Sequence, residues 1–198
     1  MLIESGKGNG ALAGVDSDNR LLTASFNIPF PHLIAKDYQK TFVVRGTSST
    51  ITTAQDYSVL YLGNNTEDKV FVVNRGILQA IVTGPTFPST GEFFKLEMDT
   101  DYNAGGTVVT PINLSSGSSV TSGAVAYESS FTLTGSPAVA DVLYPQANGV
   151  MMDFQMDGGL ILLPGKSMSI AYTSGAGTAG FAKASVYFSV VGLDGYSG

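Results

Sequence analysis

The chain has no cysteine, no tryptophan and one histidine in 198 residues. Without cysteine, a disulfide scaffold and a thiolate metal centre are excluded. The single histidine, His32, follows Pro31 in a proline-flanked stretch. A hydrolytic triad needs a base beside its nucleophile, and no Gly-x-Ser-x-Gly elbow occurs, so no enzyme activity is expected. Charge is also scarce. Charged residues make up 13 % of the chain, where about a quarter is usual. Ten Lys and Arg stand against 16 Asp and Glu, for a net charge of -6. That balance is a poor basis for a phosphate-neutralising groove, and no nucleic-acid partner is expected. The most apolar stretch, Val150 to Pro164, is interrupted by Asp153, Asp157, Gly158 and Gly159, so no membrane span is expected. Met1 to Gly8 contains no apolar h-region, so no secretory signal is expected either.

Helical patterning is nearly missing. Only Leu33 to Lys40 tolerates about two turns, and Pro29 and Pro31 confine it. The 24 glycines, with many Ser, Thr, Asn and Asp, instead punctuate short β-branched and aromatic runs. Strands are predicted at Thr41–Val44, Tyr57–Leu62, Lys69–Val73, Gly76–Thr83, Glu92–Met98, Thr107–Asn113, Ala126–Thr134, Gly159–Leu163, Ser167–Thr173 and Ala184–Val191. In the last, Val186, Phe188 and Val190 alternate with Ser185, Tyr187 and Ser189. Strands joined by turns at this density predict an all-β fold, an antiparallel β-sandwich of jelly-roll type over residues 39–198. Phe71, Phe93, Phe94, Phe131 and Phe188 lie inside strand runs and are expected in its core. Ser115 to Ser122 and Ser174 to Gly180 are expected as exposed loops.

Residues 1–38 read differently, as an extended N-terminal arm. Ser5 to Gly14 is glycine-rich, Asp16 to Arg20 is a charged turn, and Phe26 to His32 is apolar and held extended by its prolines. The arm must lie across its own domain, a neighbouring subunit or a different protein, with Phe26, Ile28, Phe30 and Leu33 as candidate anchors.

Few residues suggest chemistry. Asp99-Thr100-Asp101-Tyr102-Asn103 places oxygen ligands at alternate positions, as Ca²⁺ prefers. Ala104 stands where an EF-hand needs Gly, and Thr110 where it needs Glu, so a polar hairpin turn is the expected role and no metal or cofactor is assigned. Asp153 and Asp157 are read as belonging to a turn or an edge strand that discourages edge pairing. Asn64 and Asn113 fall in Asn-x-Ser/Thr patterns, which matter only on a secretory route.

Several pieces together resemble the small virion structural proteins of tailed bacteriophages. These are Gly8-Asn9 with Val15-Asp16-Ser17-Asp18-Asn19-Arg20-Leu21, then Leu60-Tyr61-Leu62-Gly63-Asn64-Asn65. Gly105-Gly106-Thr107 with Pro111-Ile112-Asn113-Leu114 follows, and then Leu162-Leu163-Pro164-Gly165-Lys166-Ser167. The resemblance is to an ordering of short pieces over most of the chain. It implies a homotrimer made in the host cytoplasm, located in the virion, and bound to the major capsid protein or another virion protein. The expected function is a non-enzymatic capsid decoration (cement) protein, held to the head by its N-terminal arm. The alternatives are a tail or fibre component with a receptor- or carbohydrate-binding role, a lectin-like module, and, last, a β-sandwich glycosidase or lyase.

Overall fold

In a computed structural model, the described residues are 40–84, 91–135 and 137–193, together with the strand pairing of 3–4, 12–15 and 21–22. The chain divides into two compact units, Met1–Phe30 and Pro31–Gly198. In the first, β1 (Ile3–Glu4), β2 (Leu12–Val15) and β3 (Leu21–Leu22) form a three-stranded antiparallel sheet in the order β1-β2-β3. The paired strands β2 and β3 flank the charged Asp16–Arg20 stretch. The anchors assigned to the arm, Phe26, Ile28, Phe30 and Leu33, lie outside the described residues, as does His32.

The second unit is an all-β antiparallel sandwich. Its strands are β4 (Thr41–Thr47), β5 (Asp56–Asn64), β6 (Lys69–Thr83), β7 (Phe93–Met98), β8 (Asp101–Val108) and β9 (Ile112–Asn113). They continue as β10 (Ala124–Thr134), β11 (Ala138–Leu143), β12 (Met151–Leu162), β13 (Ser167–Thr173) and β14 (Ala179–Gly192). One sheet has the order β11-β7-β13-β5-β10-β8 and the other β12-β6-β14-β4-β9. The order is nested: β4 pairs with β14 and β5 with β13, while β6 lies between β12 and β14 and β7 between β11 and β13. Among the described residues no helix is long and apolar enough to cross a membrane.

The longest ladder joins β6 to β14, where each residue from Ala179 to Gly192 has a partner on β6. Alternation along β14 places Ala182, Ala184, Val186, Phe188 and Val190 in the core, as the sequence pattern predicts. Facing β6 is one strand, not the two predicted. The polar Asn74-Arg75 that looked like a break is a β-bulge: Tyr187 pairs with Arg75 and Phe188 with Val73, leaving Asn74 as the extra residue. The bulge shifts the inward face by one residue, from Phe71 and Val73 to Gly76, Leu78, Ala80 and Val82, all buried. Phe188 then packs against Phe42 (5.7 Å between ring centroids) and Phe71 (5.1 Å).

Other expectations shift for local reasons. The predicted Thr107–Asn113 strand divides into β8 and β9, separated by 109–111, where Pro111 lacks a donor for a continuous ladder. The predicted Gly159–Leu163 strand starts earlier, at Met151, and passes through a bulge between Gln155 and Leu160. Strand β11, missed in the sequence, is short, largely exposed and bulged near Ala140. Phe93 is only half-buried and meets Tyr144 at 5.7 Å, whereas Phe71, Phe94, Phe131 and Phe188 are buried as expected.

Gly76 shows why a side chain is excluded at one inward position. It pairs directly with Phe154 of β12, and a Cβ there would overlap the Phe154 ring. The ring fills the space the glycine leaves, a known way to stabilise a glycine in a sheet. Gly76→Ala is expected to lower stability by about 1–3 kcal/mol in urea denaturation, as overpacking does. In a Phe154→Ala background the same substitution should cost much less. Equal costs in both backgrounds would show that the two residues are not coupled.

Candidate functional site

A second bulge builds the most distinctive surface feature. Ile170 pairs with Leu60 and Ala171 with Ser58, so Val59 is the extra residue of β5. Tyr57 and Val59 point into the core before it, Leu60 and Leu62 after it, and Tyr61 is turned to the outer face. There Tyr61 belongs to a cross-strand row with Glu97 of β7, Ser169 of β13 and Tyr127 of β10. Ser169 Oγ donates to Glu97 Oε2 at 2.7 Å, and both residues are buried.

Tyr102 of β8 covers this row. Its ring stacks on Tyr127 with centroids 4.0 Å apart and planes 5° from parallel. Tyr61 leans on both, at 5.9 Å from Tyr102 and 6.1 Å from Tyr127. Tyr102 Oη donates to the Gly105 carbonyl at 2.8 Å. Partial burial, then the neighbouring Tyr127, hold the Tyr102 hydroxyl above its ordinary pKa. Only Asp99 and Thr100 separate β7 from β8. Asp99 adopts a left-handed φ of 53°, and the buried Thr100 hydrogen-bonds Ser167. The predicted hairpin is therefore corrected: β7 pairs with β11 and β13, and β8 pairs with β10. Beside the tyrosines, Lys166 Nζ lies 3.1 Å from Asp99 Oδ1, and both side chains are more than half exposed. An open cleft of about 290 Å³ runs between the rings, Asn65, Lys166 and the backbone of Gly63 and Gly165.

A second polar group lies inside the protein. Glu92, fully buried, accepts through Oε1 from Thr178 Oγ1 and from Gly175 N at 3.1 Å. Among the described residues, its Oε2 and the buried Tyr172 hydroxyl have no hydrogen-bond partner. Burial, then the charge of Glu92, raise the Tyr172 pKa far above the ordinary tyrosine range. The group is closed to solvent, and through Oε1 Glu92 fixes the loop between β13 and β14. The Ser174–Gly180 loop is exposed at Ala176, Gly177 and Ala179, as expected, but not throughout. Ser174 and Thr178 are buried, Ser174 Oγ donates to Thr53 O at 2.6 Å, and β14 has already begun at Ala179. The Ser115–Ser122 loop is mostly exposed, as expected.

The residues considered for chemistry are dispersed. Asp99 pairs with Lys166, and Asn103 Nδ2 donates to Thr132 Oγ1 at 3.3 Å. No group of three or more His, Asp or Glu capable of holding a metal occurs among the described residues. Asp153 lies on the edge strand β12 in a two-pronged pair with Arg75 of β6, at 2.8 and 2.6 Å. The Arg75 guanidinium holds the Asp153 carboxyl below its usual range. Asn64 is buried and donates to the carbonyls of Lys69 (2.8 Å) and Leu162 (2.9 Å), so its amide is structural. The tyrosine cluster escaped sequence reading because three distant segments supply it. The one local signal was the outward alternation of Tyr61 and Gly63, hidden by the bulge at Val59.

No family model matches this sequence, and no curated protein or solved structure shows significant similarity to it.

The Glu92 assignment can be tested by substitution. Glu92→Ala leaves the Thr178 hydroxyl and the Gly175 N–H without an acceptor and is expected to cost about 2–3 kcal/mol in chemical denaturation. Glu92→Gln retains Oε1 and removes a buried charge, and is expected to cost less than about 1 kcal/mol. Equal losses would show that the charge itself is required.

Proposed function

We propose that the chain is a non-enzymatic bacteriophage virion structural protein, a capsid decoration (cement) protein that assembles as a homotrimer and attaches through residues 1–38. The observation that carries this reading is an exposed apolar strip at one edge of the sandwich. Ile112 and Leu114 alternate along and just beyond the short edge strand β9, with exposures of 56 % and 49 %. Val120 stands nearby, because its carbonyl accepts from Asn113 Nδ2 at 3.0 Å. Apolar side chains grouped on a surface mark an interaction site. The nested strand order supports the same reading, since two Greek keys wound into a jelly roll would nest their strands in this way. A rigid module with an adhesive edge needs no reaction chemistry to reinforce a particle. In this proposal Phe26, Ile28, Phe30 and Leu33 anchor the N-terminal segment on a neighbouring capsid protein, and repetition over a symmetric lattice supplies avidity. A tail or fibre location with a receptor-binding role is the second reading, favoured by the exposed Ser115–Ser122 loop.

Light scattering is expected to give three times the 20.6 kDa chain mass. Ile112→Asp with Leu114→Asp is expected to shift the protein toward monomer without unfolding it. Mixed with particles that lack the protein, the full chain should bind. A chain without residues 1–25 should fold but occupy far fewer sites. A stable wild-type monomer, together with undiminished occupancy after truncation, would overturn the reading.

A further inference from the structure

We infer that the tyrosine cleft on the outer face of the six-stranded sheet is a binding site for a neutral saccharide. This concerns the cleft alone and holds for a head or a tail location. The shape of the lining sets the first condition. Tyr102 and Tyr127 form a parallel stack, with Tyr61 tilted against both. Tyr102 and Tyr127 are only half-buried, so part of the aromatic surface meets solvent. The Tyr102 hydroxyl is already committed to Gly105 O, so what this residue offers a ligand is its ring. A pyranose presents a flat array of C–H bonds that can lie on such a ring while its hydroxyls point to the rim.

The rim sets the second condition. Its charged groups are Lys166 and Asp99, 3.1 Å apart and opposite in sign. Lys166 is thus compensated and does not select a phosphate or sulfate, and the net charge of -6 opposes polyanions at longer range. A carboxylate beside an ammonium, with the exposed Asn65 lining the same cleft as Lys166, supplies both acceptors and donors. Neutral hydroxyls, each both donor and acceptor, satisfy that mixture better than any ion does. The volume of about 290 Å³ suits one or two sugar units of a longer chain.

The cleft is also built to hold its shape. Tyr61 is aimed outward by the Val59 bulge, and the segment leading to Tyr102 is pinned by the buried Thr100–Ser167 contact. A Cβ at Gly63 would come within 3.0 Å of the Tyr61 ring, so the glycine leaves that ring its place. Little ordering is therefore required when a ligand binds, which favours affinity from a small contact.

The test is an NMR titration of the full chain, labelled on tyrosine rings and asparagine amides. The probes are cellotetraose, maltotetraose and the N-acetylglucosamine tetramer, with ADP and chondroitin sulfate as charged comparators. At least one neutral tetramer is expected to give saturable shifts at Tyr102, Tyr127 and Asn65 with a dissociation constant below about 1 mM. Tyr102→Ala should weaken binding about ten-fold or more, while Tyr144→Ala, an exposed tyrosine elsewhere, should leave it unchanged. If Tyr102→Ala does not fold, the wild-type shift map still decides. The inference is overturned by the absence of saturable shifts with all three tetramers up to about 20 mM. Shifts centred elsewhere, undiminished affinity in folded Tyr102→Ala, or tighter binding of ADP or chondroitin sulfate at the same residues would each overturn it as well. None of these outcomes bears on trimer formation or particle occupancy, so the two proposals stand or fall separately.

Discussion

The sandwich depends on the ladder between β6 and β14. The two strands place Phe71, Val73, Leu78, Ala80 and Val82 beside Ala182, Ala184, Val186, Phe188 and Val190, a double row of buried side chains with few polar interruptions. Each large one contributes roughly 1.5–3 kcal/mol on burial. The strands are far apart in sequence, so closing this ladder orders most of the chain between them. Once it exists, β12 can pair on one side and β4 on the other, and the β5–β13 pair has an apolar surface to cover. The edge strands β8, β9 and β11 add little to that core and are the most exposed elements.

Two extra residues decide what the two faces of the sandwich carry. The bulge at Asn74 lets one long strand keep its apolar side inward across a polar interruption, and it places Gly76 under the Phe154 ring. At Val59 the opposite consequence follows, because consecutive apolar residues there both serve the core and Tyr61 is released to the outside. Without that shift Leu60 and Leu62 would face solvent and Tyr61 the interior. The stacked tyrosines are thus a product of core packing. The six-stranded sheet that packs its inner side on the β6–β14 ladder carries the three aromatic rings on its outer side.

The sequence carried the class of fold because it is set by short-range patterns. Alternation in Ala184–Val191, the β-branched runs and the glycine and asparagine punctuation all act within a few residues. It misled where the same local signal has two meanings. Asn74-Arg75 reads as a break between two strands, yet a polar pair in a strand can equally be a bulge, and only the partner strands distinguish the two. Asp99 to Asn103 reads as a hairpin because Asp and Asn favour turns, but whether the flanking strands pair is decided across the sheet. The Ser174–Gly180 segment looks exposed by composition. Glu92, more than eighty positions away, ties down its Gly175 and Thr178. Tyr61, Tyr102 and Tyr127 come together only through register, which no window of sequence contains.

Residue-resolved native-state hydrogen exchange tests the central role of the β6–β14 ladder most directly. The paired amides of Val70–Val82 and Ala182–Val190 should exchange only through global unfolding, with one common free energy. Amides of β8, β9 and β11 should exchange through smaller, local openings. Protection in β6 and β14 no greater than in those edge strands would contradict the account.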